Sequence, residues 1–182
     1  MYGLINKAVC GLLTERFGVD AWHRIRTRAG LPDKPFVSME QYPDQSTFDL
    51  VAAATVELEI SAEDILKAFG RYWALYTAQA GYGDLMDSAG KTFVEFVKNL
   101  DHLHSRVKLS FPHLQPPSFA VSADGPGYLT LHYYSHRHGL APLVIGILEG
   151  LGERFGIKLA FTHESAHNDP RPHEIFYLRW SQ

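Results

Sequence analysis

A run of prolines divides this chain into two stretches with different periodicities, and that change of period limits its fold more than any other feature. Up to about residue 108, apolar residues recur every three or four positions, the repeat of a helix with one buried face. Between Ser110 and Pro117 stand Pro112, Pro116 and Pro117. No helix continues through them, because proline lacks an amide proton and crowds the preceding turn. Beyond them the pattern alternates every second residue, as in a strand.

The spacing predicts helices over residues 2–17, 20–29, 46–58, 61–78, 84–88 and 91–108. Glu63 and Asp64 follow Ser61 in the first turn of one of them, where acidic groups suit the helix dipole. Strands are predicted over 118–123 and 128–137, joined through the turn Asp124-Gly125-Pro126-Gly127. Pro142 fits the first turn of a helix running to about residue 155, stopped by Gly156. Two further strands are expected over 157–163 and 174–180. Helices first, then two strands, a helix and two strands, make an α+β fold with an antiparallel sheet. No linker divides the 182 residues, so a single domain over 1–182 is expected.

Composition removes several function classes. A formal net charge of −3 gives no case for nucleic acid. No apolar stretch is long enough for a membrane span, and the N-terminus lacks a leader pattern. Cys10 is the only cysteine, so there is no internal disulfide and no multi-cysteine zinc site. It stands among apolar neighbours on the first helix and reads as a core residue. These features together predict a cytoplasmic protein. There is no phosphate-cradling glycine loop, no Gly-x-Ser-x-Gly elbow and no His-Glu-x-x-His helix, so an enzyme is not expected.

Two clusters carry chemistry. In residues 91–108, Phe93, Phe96, Val97, Leu100, Leu103 and Val107 share one helical face, and His104 falls on it. An imidazole aimed into an apolar interior needs a partner there. A backbone carbonyl would serve, and so would a metal, since neutral imidazole is a common ligand. In the strand expected to end at Arg137, Leu131, Tyr133, Ser135 and Arg137 alternate onto one side. That face begins apolar and ends in a phenol, a hydroxyl and a guanidinium, a pattern suited to anions at the edge of an apolar pocket. The same residues also fit a strand end at the surface with an ordinary ion pair.

Together these segments resemble a known family. Met1-Tyr2-Gly3-Leu4, Ala68-Phe69-Gly70, Gly81-Tyr82-Gly83, the segment from Asn99 to Val107, Ser110-Phe111-Pro112, Pro116-Pro117, Tyr133-x-Ser135-x-Arg137 and Gly139-Leu140-Ala141-Pro142 are similar to the haem nitric oxide/oxygen binding (H-NOX) domain. That domain occurs in bacterial gas sensors and as the haem domain of soluble guanylate cyclase. The resemblance implies an N-terminal helical part packed on a four-stranded antiparallel sheet, with haem b buried between them. It implies His104 as the axial iron ligand, and Tyr133, Ser135 and Arg137 as the residues that bind the propionates. Pro117 and Ile5 would contact the macrocycle, Pro117 bending it.

The distal side follows from the same resemblance. Dioxygen-holding members resemble one another in a distal tyrosine, and that position falls on Leu143 here. Trp73, Val144 and Val9 would be its neighbours, and the Trp73 indole fits either a donor role or plain packing. Discrimination among gases depends on distal hydrogen-bond donors. A sensor of NO and CO with weak or no stable dioxygen binding is therefore expected, in which nitric oxide weakens the bond to His104. The signal is expected to pass to a separate protein, a histidine kinase or a cyclic-di-GMP enzyme as in bacterial relatives. A non-haem module taking a lipid or another small molecule in the same pocket is the alternative. His138, His163, His167 and His173 stand in a region where some members carry a cysteine-rich zinc site. Those cysteines are absent here, Ser165 stands near one of their positions, and solvated histidines are expected.

Overall fold

In the computed structural model, residues 1–77 and 82–181 are described. The expected end of one helix at Ala78 and Gly81 of the glycine motif lie outside them. The expected α+β architecture is present: the described residues form helices and a four-stranded antiparallel sheet. The chain divides into two compact units, one of Met1–Trp73 with Pro142–Ile147, the other of Ala74–Ala141 with Leu148–Gln182.

The first unit contains α1 (Gly3–Phe17), α2 (Val19–Arg28), α3 (Asp44–Leu58), most of α4 (Ala62–Thr77) and the first part of α8 (Ala141–Arg154). Gly18 separates α1 from α2 at φ 87°, a conformation open to glycine at little steric cost. The helices bury Leu12, Leu13, Ile25, Leu50, Ala54 and Phe69 in one apolar cluster. Burying such side chains contributes roughly 1.5–3 kcal/mol each. Where α4 meets α8, both contact points are glycine. A Cβ on Gly70 would lie 2.1 Å from the Leu143 carbonyl oxygen, and one on Gly146 would lie 1.9 Å from that of Lys67. The crossing therefore requires the absence of side chains at these two positions.

The second unit holds α5 (Gly83–Asp87), α6 (Phe93–Lys98), α7 (Leu100–Ser110), the end of α8, and the strands β1 (Ser118–Gly125), β2 (Tyr128–Tyr134), β3 (Lys158–Ala166) and β4 (His173–Ser181). The sheet order is β1-β2-β4-β3. Leu129, Leu131 and Tyr133 of β2 and Phe176 and Leu178 of β4 are buried, as alternation requires. Phe93 lies edge-on to Trp180 at 5.5 Å.

Two expected elements differ. The helix expected over 91–108 is two helices. The Thr92–Glu95 capping box starts α6, and Asn99 interrupts the run at φ −95°, ψ 6°. The Asn99 side-chain amide donates to the Ala89 carbonyl at 2.7 Å. The strand expected to reach Arg137 stops at Tyr134. Its last partner on β1 is Ser118, and the residues before Ser118 are Pro116 and Pro117, which have no amide proton to pair with it.

Candidate functional site

His104 lies on α7, half-buried, and its ring stacks on Phe119 of β1 at 5.7 Å with 20° between the planes. Phe119 in turn packs against Tyr133 of β2 at 5.4 Å. The stripe that carries His104 is only partly buried: Leu100 is inside, while Leu103 and Val107 are half-exposed. The His104 Nδ1 atom is buried and has no hydrogen-bond partner among the described residues. Burial holds the imidazole below its ordinary value, opposed in part by the negative charge of Asp101. The ring is thus neutral at pH 7 and keeps a lone pair for a ligand bond.

Asp101, three residues before His104, was given no role by the sequence. Its carboxylate accepts from the Phe119 amide at 2.7 Å and from the Ser118 hydroxyl at 3.1 Å. One side chain therefore ties α7 to the first two residues of β1, directly after Pro117. Spacing of i−3 puts Asp101 beside His104 on the helix surface, and that was the available signal. Nothing in the sequence marked Phe119.

Tyr133, Ser135 and Arg137 come together, although not on one strand face. Only Tyr133 lies in β2; Ser135 and Arg137 follow in a bend. The Ser135 hydroxyl accepts from the Arg137 amide at 3.0 Å, which turns the chain sharply. The Arg137 guanidinium donates to the Gln115 carbonyl at 2.8 Å, near Pro116 and Pro117. Burial raises the Tyr133 hydroxyl above its ordinary value; the hydrogen bond with Ser135 and the Arg137 charge pull the other way, and Glu174 adds to the rise. Tyr133 stays a protonated donor at any ordinary pH. A buried phenol, a hydroxyl and a guanidinium in one place are chemically suited to carboxylates. Pro117 is half-buried at the end of the proline run.

The residues expected on the distal side all belong to the first unit. Val9 and Val144 are each 3% exposed. Ile5, Trp73 and Leu143 are half-buried and pack against the core cluster there. The Trp73 ring lies 6.1 Å from Phe69, so it has a packing role in any reading. Cys10 packs against the same cluster, and burial pushes its thiol up, as fits a core residue better than a nucleophile.

The C-terminal histidines do not gather. His163 faces Glu174 at 2.7 Å, His173 is bonded to His132, and His138 and His167 are exposed. Among the described residues, no three His, Cys, Asp or Glu side chains are placed to hold a metal ion.

The sequence model of the Haem-NO-binding family matches residues 2–163. The chain belongs to the H-NOX family. A soluble guanylate cyclase of Caenorhabditis elegans, gcy-33, is 31% identical over 155 residues, covering 85% of this chain and 16% of the relative. The soluble guanylate cyclase subunit beta-2 of Rattus norvegicus is 42% identical over 93 residues, covering 51% of this chain and 14% of the relative. The chain thus spans less than a fifth of either cyclase. In fold it is similar to an H-NOX protein from S. oneidensis in the Fe(II)NO state, with a TM-score of 0.88 and 21% identity over all of both chains. An unliganded Fe(II) H-NOX protein from K. algicida gives 0.86 and 20%, covering all of this chain and 97% of that one.

H-NOX domains are haem-binding sensor modules and are not themselves catalysts. The donor set of this H-NOX domain fits that cofactor. It offers a neutral imidazole with an unpartnered buried nitrogen, and a cluster of donors suited to carboxylates. No helix among the described residues is long and apolar enough to cross a membrane.

Proposed function

We propose that this H-NOX domain binds haem b and senses nitric oxide, and also carbon monoxide, with little stable dioxygen binding. His104 would hold the haem iron, Tyr133, Ser135 and Arg137 would receive the propionates, and Pro117 and Ile5 would bear on the macrocycle. When bound, the haem would supply a ferrous iron able to take a diatomic molecule. The observation that carries the reading is the buried Nδ1 of His104, which lacks a partner among the described residues where an unpaired polar atom is costly.

The gas preference rests on what the distal residues lack. Ile5, Val9, Leu143 and Val144 carry no hydrogen-bond donor. A bound dioxygen gains from a donor, whereas nitric oxide and carbon monoxide depend on one far less. Trp73 is the one candidate donor of the set, and its packing on Phe69 and the core supports a filling role.

His104 also links the site to the rest of its unit. Asp101 ties α7 to Ser118 and Phe119, so a displacement of α7 at His104 would be handed to β1 and to Pro117 beside it. Such a movement biases a two-state element that a partner can read. We place the output in a separate cytoplasmic protein, a histidine kinase or a cyclic-di-GMP enzyme.

Absorption spectra of the ferrous protein test this, recorded without gas, in air and with nitric oxide. A Soret band that shifts with nitric oxide and is unchanged in air is the expected result. Colourless protein that takes up no hemin overturns the haem reading, and points instead to a lipid or other small molecule. His104→Gly is expected to hold haem only when imidazole is added. Normal haem binding with an unchanged axial bond in that variant rejects His104 as ligand.

A further inference from the structure

Glu174 is the direct cross-strand partner of Tyr133 on β2 and of Ser165 on β3. Cross-strand partners lie about 4.5–5.5 Å apart at Cβ and share a sheet face. Glu174 therefore stands on the same face as Tyr133, the buried phenol of the carboxylate-binding cluster. Its side chain leans the other way. Glu174 Oε2 accepts from the Ser165 hydroxyl at 2.5 Å and faces His163 Nε2 at 2.7 Å, both on β3. Burial raises the Glu174 carboxyl, but the hydrogen bonds from Ser165 and His163, with the nearby His163 and His167 charges, outweigh it. It is ionised at neutral pH.

The charge count makes this placement consequential. Two haem propionates bring two negative charges to a cluster whose single guanidinium is Arg137; Tyr133 and Ser135 are neutral donors. A third carboxylate one strand away opposes them. It is also a potential competitor for the donors that the propionates use.

We infer that Glu174 is a restrained like charge, held off the propionate cluster by Ser165 and His163, and that this restraint sets how tightly haem is retained. The inference rests on the haem reading given above. It makes Glu174 a positioning residue whose removal strengthens haem retention, the reverse of what loss of a packing residue does.

Transfer of hemin from the loaded protein to excess apomyoglobin, followed by absorbance, measures the effect. Glu174→Gln keeps an acceptor for Ser165 and His163 and removes the charge. It is expected to slow haem loss by roughly three- to tenfold, the size of a partly solvated charge interaction. The difference should shrink in 1 M salt, where screening is short-ranged. His163→Phe is expected to speed haem loss by a similar factor, and adding Glu174→Gln to it should cancel that acceleration. A purely structural role for His163 leaves the acceleration in place in the double variant. Glu174→Gln that loses haem as fast as the parent, or faster, overturns the inference while leaving the haem reading intact. A parent protein that takes up no hemin removes the reading beneath it.

Discussion

His132 and His173 share one hydrogen bond, 2.8 Å from Nδ1 of the first to Nε2 of the second, on the sheet face away from Tyr133. The network fixes its direction. His173 Nδ1 lies 2.9 Å from the Arg171 carbonyl, which only accepts, so the His173 proton sits on Nδ1. His173 Nε2 then accepts from His132 Nδ1, and His132 Nε2 accepts from the Ser122 hydroxyl at 2.8 Å. Ser122 stands at the β1 bulge, between Val121 and Ala123. His173 is also stacked on Tyr134 at 4.5 Å, with the Arg171 guanidinium over that ring at 4.3 Å. Asp169 is the nearby acid, 3.8 Å from His173.

Acid should therefore loosen this part of the protein. Burial holds His132 below its ordinary 6.5, the neighbouring His173 lowers it further, and Asp169 acts the other way. A depressed histidine binds more protons unfolded than folded in the window between its folded value and 6.5. Stability is thus expected to fall as pH drops through that window and to level off above it. His104 adds to the same slope in haem-free protein. Long-range nitrogen spectra of the imidazoles at pH 7.5 should show both rings protonated on Nδ1. A His132 that carries its proton on Nε2, or titrates above 6.5, contradicts the chain of bonds.

The α4–α8 crossing should not tolerate a methyl group. Gly70→Ala sets a carbon 2.1 Å from the Leu143 oxygen, and Gly146→Ala sets one 1.9 Å from the Lys67 oxygen. Both obstacles are backbone and cannot swing aside, so each variant is expected to lose about 1–3 kcal/mol. Gly30→Ala is the comparison: its φ of 66° is unfavourable, but nothing lies within 4 Å of the added carbon. Urea midpoints that rank Gly30→Ala as the most damaging would show the crossing to be looser than described.

Asp101 should matter before any haem is added. Asp101→Ala leaves the Phe119 amide and the Ser118 hydroxyl without their acceptor. A loss of about 1–2 kcal/mol is expected, together with faster hydrogen exchange at the Phe119 amide. Asp101→Asn keeps one oxygen and should fall between the parent and the alanine variant. Equal exchange at Phe119 in all three would mean that α7 and β1 are not joined through this carboxylate.

How far these features could be read in advance depended on whether their cause was local. The hairpin was legible because Asp124-Gly125-Pro126-Gly127 carries its own turn chemistry, and Gly127 does take φ 77°. The His104 helix was legible as a face but not as two pieces, since the Asn99 break depends on a carbonyl ten residues away. Alternation carried Ser135 and Arg137 onto the strand. The partner strand's prolines ended it, so Tyr133, Ser135 and Arg137 meet through a bend instead. The sheet order, the Phe119 stack on His104 and the Glu174 neighbourhood depend on strand register, which no single segment encodes. The distal residues came from family resemblance alone; periodicity shows Val9 as core and no more.

A donor placed at Leu143 should change the gas preference. The backbone there is fixed by the close approach of Gly70, so a new side chain starts from the same point as leucine. Leu143→Tyr brings a hydroxyl that donates to an oxygen-rich ligand but does little for nitric oxide. One such bond is worth about 0.5–1.5 kcal/mol, so dioxygen affinity of the ferrous haem protein should rise by roughly two- to tenfold, with nitric oxide affinity nearly unchanged. Leu143→Phe has almost the same bulk and no hydroxyl, so it separates hydrogen bonding from crowding. If phenylalanine raises dioxygen affinity as much as tyrosine does, pocket volume rather than polarity governs the choice of gas. If neither does, position 143 is not on the ligand's side of the haem.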